Sequence, residues 1–463
     1  MAKQPNVIVF FTDQQRWDTS GLHGNPLDLT PNFDRMAQRG THFSNAITCQ
    51  PVCAPARACL QTGLYATEHG VFRNGLSLAD DAVTLADCFN DAGYDTGYIG
   101  KWHLAGKEPN GDWRLAVPKE RRGGYAYWLG ADLTEFTSDA YNTVLFDGEG
   151  NPVKLPGYRV DATADAAIRY IDDHKSNPFF LFLSFLEPHF QNHRDDYPAP
   201  DGYEERYRGK WIPPDLAALG GSTHQHIAGY YGMVKRLDEA LGRLLDSLKS
   251  LDLLENTIVL FTADHGCHFK TRNDEYKRSC HDSSVHIPAA ACGPGFDGGG
   301  RIESMVSLLD FMPTLVDAAN LKIPERISGR SVMPLLREPT ADRSGVAREE
   351  AFIQMSEVQV GRAIRTNRWK YSVSAPGKDG YKVMNSDSYV EEFLYDVQAD
   401  PYELTNLIGL ESHREVAERL RNRLIFMMKE AGEEEPEIIP ADPRTDNIRR
   451  IVFPDRDYPG RDF

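Results

Sequence analysis

Cys53 opens the run Cys53-Ala54-Pro55-Ala56-Arg57, with a proline two residues on and an arginine four residues on. A thiolate is an adequate nucleophile, but no general base adjoins this one, so the run lacks the usual arrangement of a thiol enzyme. Three short apolar runs elsewhere each deliver residues able to do chemistry. Residues 6–12 lead into Asp13 and Gln14, residues 257–262 into Asp264 and His265, and residues 179–186 into Glu187, Pro188 and His189. Sites in open parallel α/β sheets form just outside the carboxyl ends of strands, so three such endings argue for one shared site. Lys101 and His103 lie two apart after Tyr98-Ile99-Gly100, where an extended segment lets both face one side. With a net charge of −17, the average surface repels anions, and any anion site must be a local cluster of Arg, Lys and His such as this one.

The Cys53–Arg57 run is followed by a second block, Gly93-Tyr94-Asp95-Thr96-Gly97-Tyr98-Ile99-Gly100-Lys101-Trp102-His103. The pair, at this interval, resembles the formylglycine-dependent sulfatases of the alkaline-phosphatase superfamily, close to the branch they share with phosphonate monoester hydrolases. The resemblance covers nearly the whole chain and includes Arg362-Ala-Ile-Arg-Thr-Asn-Arg-Trp-Lys370 and Leu394-Tyr-Asp-Val-Gln-Ala-Asp-Pro401.

That resemblance implies a mechanism. A maturing enzyme, a transient partner, oxidises Cys53 to formylglycine, whose hydrate offers one hydroxyl to attack sulfur and another to expel sulfate. Arg57 holds the diol and its adduct through charge-assisted hydrogen bonds. One divalent cation sits among Asp13, Gln14, Asp264 and His265. Many relatives carry Asp at the position of Gln14 and Asn at that of His265, so this set loses a negative charge and gains a nitrogen. Oxygen ligands at two strand ends suit Ca²⁺ first, and the imidazole makes Mn²⁺ the second choice. Lys101 binds the formylglycine and the sulfate oxygens. His103 deprotonates the spare hydroxyl, while His189 contacts sulfate and protonates the leaving oxygen. Lys277 binds sulfate, with Lys270 as the alternate. A helix expected from Ala58 turns its amide end toward the anion.

The implied function is hydrolysis of an organic sulfate ester, a sulfated sugar or another small ester. The alternative is a phosphonate monoester or phosphodiester hydrolase with the same nucleophile, since the less negative Gln14/His265 pair suits a more anionic substrate. A non-catalytic binder of sulfated ligands is a third reading, and the intact catalytic positions count against it. Asp264 and His268 also have the spacing of two-zinc phosphatases, but those place Ser or Thr where this chain has Cys53.

The elements that must carry these residues alternate. The runs at 6–12, 179–186 and 257–262 read as strands buried on both faces. An apolar stripe from Tyr230 through Val234, Leu237, Leu241, Leu244 and Leu248 to Leu251 reads as a helix, as does 162–174. Such alternation predicts an α/β fold, a large mixed, mostly parallel sheet sandwiched by helices. After Pro334 the runs at 351–355, 361–365 and 369–373 read as short strands, followed by a helix over about 413–430. The expected domains are therefore a catalytic one over 1–340 and a smaller C-terminal α+β subdomain over 341–463, whose acidic, proline-rich tail from Glu433 wraps the surface. The acidic balance excludes nucleic acid as a partner. No apolar run is long enough to span a bilayer, and no signal-peptide pattern precedes the first strand, so the expected location is cytoplasmic, without membrane contact. Seven cysteines without a framework spacing agree with a reducing compartment.

Overall fold

A computed structural model describes residues 4–107, 112–337 and 347–444. The apolar runs form the centre of a ten-stranded sheet. Its order is Gly300–Ile302, Thr41–Phe43, Ala289–Cys292, Thr257–Ala263, Asn6–Thr12, Phe179–Ser184, Asp95–Lys101, Tyr127–Ala131, Thr143–Phe146 and Pro152–Leu155. The five strands from Thr257–Ala263 to Tyr127–Ala131 are mutually parallel, so their carboxyl ends share one edge. The expected mixed, mostly parallel sheet is thus present, with antiparallel pairs toward its flanks.

Burial on both faces explains why these strands read as unbroken apolar runs. Along Asn6–Thr12, Val7, Val9 and Phe11 point into a core shared with Leu60, Leu85, Phe89 and Phe311. Ile8 and Phe10 point the other way, against Leu237, Leu241, Leu244 and Ile171. The latter face is covered by the helices Arg159–His174 and Thr223–Ser250, each of which extends the expected helix toward its N-terminus. The strand expected over 179–186 ends at Ser184, and the chain turns away before Glu187.

Four strands of the small sheet, Glu350–Met355, Gly361–Thr366, Trp369–Ser374 and Ser388–Asp396, pair antiparallel, and the helix Arg414–Glu430 covers them. Glu437–Ile439 adds a fifth, parallel strand, so the acidic segment joins the sheet where a surface wrap was expected; residues beyond 444 lie outside the described part. The boundary expected at residue 340 also lies outside the described residues. Phe352, Ile364, Tyr371 and Leu394 belong to the same apolar core as the large sheet. One buried ion network adds to the joint: Asp282 binds Arg365 and Lys370, and Lys370 also binds Glu403. Among the described residues no helix is long and apolar enough to cross a membrane.

Gly100 shows how tightly the central strands approach. Its φ is +110°, and a Cβ there would stand 1.8 Å from the carbonyl oxygen of Ser184 on the neighbouring strand. Gly100→Ala is expected to cost about 3–5 kcal/mol, since both the backbone angle and the contact forbid a side chain. Equilibrium denaturation checks this; a loss under about 1 kcal/mol would show that the strand pair relaxes more easily than its geometry implies.

Candidate active site

The parallel edge gathers the expected residues. Asp13 and Gln14 follow the central strand, Asp264 and His265 follow its neighbour, and the amides of Asp13 and Asp264 bond Glu187 O (3.1 Å) and Thr12 O (3.2 Å), locking the strand ends together. Gln14 adopts φ +70°, which turns its N–H onto Asp264 Oδ1 at 2.9 Å. Cys53 is the first residue of the helix Cys53–Thr62, so the helix begins at the cysteine itself rather than at Ala58. Pro55 explains the difference: a residue without an N–H fits the first turn, where amides have no intrahelical acceptor. The amide end that favours an anion therefore lies at the sulfur.

Cys53 Sγ sits 2.8 Å from Lys277 Nζ, 3.3 Å from His265 Nε2 and 3.7 Å from Asp13 Oδ1. His103 lines the same cavity as the thiol. His103 has φ +61°, so the chain is no longer extended there, and this turn brings His103 in. Asp13 Oδ2 accepts from Lys101 Nζ (2.8 Å) and Arg57 Nη2 (2.9 Å). Arg57 further donates to Lys101 O and Ser184 Oγ, both at 2.8 Å. His189 faces the same cavity of about 440 Å³, with Cys53, His103 and Lys277. Its Nδ1 donates to the Phe190 carbonyl at 2.7 Å. Lys277, not Lys270, is the lysine beside Cys53 Sγ; Lys270 pairs with Asp195 at 3.0 Å. A larger cleft of about 820 Å³ beside Leu64, Leu321 and Ile327 contains none of these residues.

Burial raises the Cys53 thiol's pKa, but Lys277, then Lys101, His265 and His103, outweigh it and hold the thiol well below its ordinary value. Burial and Cys53 likewise push Asp13 up, and Lys101, His189 and Arg57 bring it well below the carboxylate range. Asp264 is raised, first by burial and then by Asp13 beside it. Two adjacent buried carboxylates that part in this way compete for limited positive charge.

A divalent cation fits what remains. Asp13, Cys53, Asp264 and His265 place donor atoms within 4.8 Å of one another. His265 Nδ1 donates to Gly266 O at 3.0 Å, so in the neutral ring Nε2 carries a lone pair toward Asp13 and Asp264. Gln14 Nε2 donates to Tyr197 Oη at 3.0 Å, and Gln14 Oε1 is buried without a hydrogen-bond partner. An orphaned acceptor of that kind calls for a cation or donor beside it.

Several contributors carried no spacing signal in the sequence. Glu135 receives Lys101 Nζ at 2.9 Å from a different strand's end. Asn74 Oδ1 accepts the Ala54 N–H at the start of the Cys53–Thr62 helix (3.1 Å), and the Asn74 N–H in turn donates to Glu357 Oε1 at 2.8 Å. Glu357 also binds Arg278, the neighbour of Lys277, so the C-terminal subdomain braces the cavity wall. Arg16, His69, His268, His281 and His286, near the motif blocks in sequence, do not line the cavity. Arg16 instead binds Asp18 and Asp215.

Residues 5–321 match the family described as Sulfatase, and residues 274–430 the one described as N-sulphoglucosamine sulphohydrolase, C-terminal. An ulvan-active sulfatase of Formosa agariphila is 31% identical over 446 residues, covering 93% of this chain and 82% of its own. An N-acetylglucosamine-6-O-sulfatase of Bacteroides thetaiotaomicron is 24% identical, covering 94% and 88%. The crystal structure of the putative sulfatase yidJ from Bacteroides fragilis superposes with TM-score 0.79 at 25% identity, over 94% of this chain and 97% of that one. A phosphonate monoester hydrolase of Agrobacterium radiobacter shares the fold (TM-score 0.68, 23% identity, 92% and 96% coverage). The chain belongs to the sulfatase family, with its alkaline-phosphatase-like fold, and is a sulfuric ester hydrolase.

Glu357→Ala would leave the buried Arg278 guanidinium and the Asn74 amide short of their acceptor. It is expected to lose about 3 kcal/mol of stability, since breaking a buried pair strands a charge. Glu357→Gln, which keeps an acceptor for the amide, is expected to lose less. Urea unfolding of both variants tests this, and equal loss in the two would contradict the pairing.

Proposed function

We propose that the chain hydrolyses a saccharide sulfate ester, using formylglycine made from Cys53 and one divalent cation held by Asp13, Gln14, Asp264 and His265. The observation that carries this reading is the position of Cys53 Sγ at a helix start, 2.8 Å from Lys277 Nζ and 3.3 Å from His265 Nε2. The thiol stands where a hydroxyl of the hydrated aldehyde would lie. The relatives named for ulvan and N-acetylglucosamine 6-O-sulfate support a sugar substrate.

The hydrate supplies one hydroxyl to attack sulfur and a second to release sulfate. The cation, Ca²⁺ first and Mn²⁺ second, supplies Lewis acidity to the ester oxygens. The remaining work falls to side chains. Lys277 holds sulfate oxygens beside the nucleophile, and the Arg57–Asp13–Lys101 triad fixes the surrounding charge. His189 gives a proton from Nε2 to the leaving oxygen. His103, in the same cavity as Cys53, takes the proton of the spare hydroxyl.

Peptide mass spectrometry across Cys53, on protein made beside a maturing enzyme, is expected to show the aldehyde; a wholly unmodified thiol in active protein would refute the mechanism. Metal analysis is expected to find one divalent ion that Asp264→Asn loses, whereas two zinc ions would reassign the chemistry to a phosphatase. An aryl sulfate is expected to be hydrolysed faster than the matching aryl phosphonate, and the reverse preference would favour the phosphonate reading.

The two histidines separate in a leaving-group series. His189→Ala is expected to slow esters of poor leaving groups by about 10²–10⁴-fold and activated aryl esters far less, because general acid catalysis matters least for a stable phenolate. His103→Ala is expected to slow sulfate release for every ester alike, with a burst and a trapped covalent adduct. Equal losses in both variants across the series, without a trapped adduct, would contradict this division of labour.

A further inference from the structure

The cavity around Cys53 is not a cationic bowl. Its lining carries three cationic side chains, Lys270, Lys277 and Arg278, against four carboxylates, Glu135, Asp195, Asp274 and Glu275. Most of the positive charge is already committed within the protein. Lys270 Nζ lies 3.0 Å from Asp195 Oδ2 and over the Tyr276 ring, while Asp195 Oδ1 accepts from Tyr276 Oη at 2.8 Å. Arg278 binds Glu357 and, at 2.9 Å, Glu275. Lys277 stands at the nucleophile, where the ester sulfate must go. A second anion on the substrate would find each cation at the rim matched by a carboxylate, and would meet Asp195 and Glu275, both half-exposed, at close range.

Part of the lining is aromatic. Trp113 and Phe136 line the cavity with their rings stacked, centroids 5.7 Å apart and planes at 27°, and Phe136 is 37% exposed. An apolar plate in one cavity with a few placed acceptors is the arrangement that takes a ring with apolar C–H faces and hydroxyl edges. Carboxylates accept strong hydrogen bonds from hydroxyls and repel like charge, so the same groups select and exclude.

We propose that this cavity takes a sugar unit bearing one sulfate and no other negative charge, its ring laid against Trp113 and Phe136 and its hydroxyls bonded to Asp195 and Glu275. Saccharides carrying a second sulfate or a carboxylate beside the first are turned away. The inference rests on the saccharide sulfatase reading and narrows it.

The test uses the matured, metal-loaded full chain, with 4-nitrocatechol sulfate as a control and methyl glycosides of hexoses and N-acetylhexosamines sulfated singly at each position. The best of these is then compared with the same ring carrying a second sulfate, and with the same ring joined to a uronic acid. The doubly charged substrates are expected to show kcat/KM about tenfold lower or less, as expected for like charges a few ångströms apart in a partly wet cavity. Glu275→Gln is expected to narrow that gap several-fold, and Phe136→Ala to raise KM for the singly sulfated sugar more than it lowers kcat. Equal or faster turnover of the doubly charged sugars would overturn the proposal. So would a Glu275→Gln effect equal on both substrate types, or turnover of the control with no singly sulfated sugar accepted. Failure to hydrolyse any sulfate ester, the control included, would overturn the sulfatase reading itself.

Discussion

Asp13 and Asp264 are both fully buried, at the ends of adjacent parallel strands, and the protein must bring positive charge to them. Unpaired charge in the interior is costly, so each carboxylate needs partners within reach. Arg57 answers both, at 2.9 Å and 3.4 Å, and Lys101 answers Asp13. Lys101 is itself wholly buried and needs Glu135 besides, which draws in the end of another strand. The constraint thus spreads outward: one pair of acids fixes the helix that begins at Cys53, the strand that ends at Lys101 and the short helix Thr134–Thr137 that carries Glu135. The oxygens left over, Asp13 Oδ1 and Gln14 Oε1, are turned toward the sulfur or left without a partner.

The remainder of the molecule keeps that cluster in register. Parallel pairing from Thr257–Ala263 across to Asp95–Lys101 brings four strand ends to one edge, and the close approach at Gly100 leaves little freedom for slippage. The small C-terminal sheet does more than cap the large one. Through Glu357 it reaches both Asn74, which holds the start of the Cys53–Thr62 helix, and Arg278, next to the lysine that faces the sulfur. The cavity wall is therefore braced by a contact between segments 283 residues apart in sequence.

The central sheet was legible because strands buried on both faces can only be written as unbroken apolar runs. The chemistry was legible because charged residues directly after such runs must sit at the sheet's edge. The helix at Cys53 was misplaced by five residues because Pro55 reads as a breaker, although proline is tolerated within a first turn. The inward turn of His103 could not be read, since its left-handed backbone angle is adopted by a residue other than glycine. Glu135, Asn74 and Glu357 left no trace for a different reason. They act through single contacts between distant segments, and no periodicity or local spacing records a partner that lies 20 to 283 residues away.

Cys53 is only 2% exposed in the folded chain, beneath a cavity wall that includes Arg278 and, behind it, Glu357. Any agent that reacts with this side chain would have to reach it before the fold closes or through a local opening. Access to the thiol and completion of the fold are thus competitors for the same segment. The late arrival of residue 357 during synthesis leaves an interval in which the Cys53–Arg57 stretch exists without its final wall. Once residue 357 docks, the Cys53 side chain is sealed in by contacts that join the two ends of the sequence.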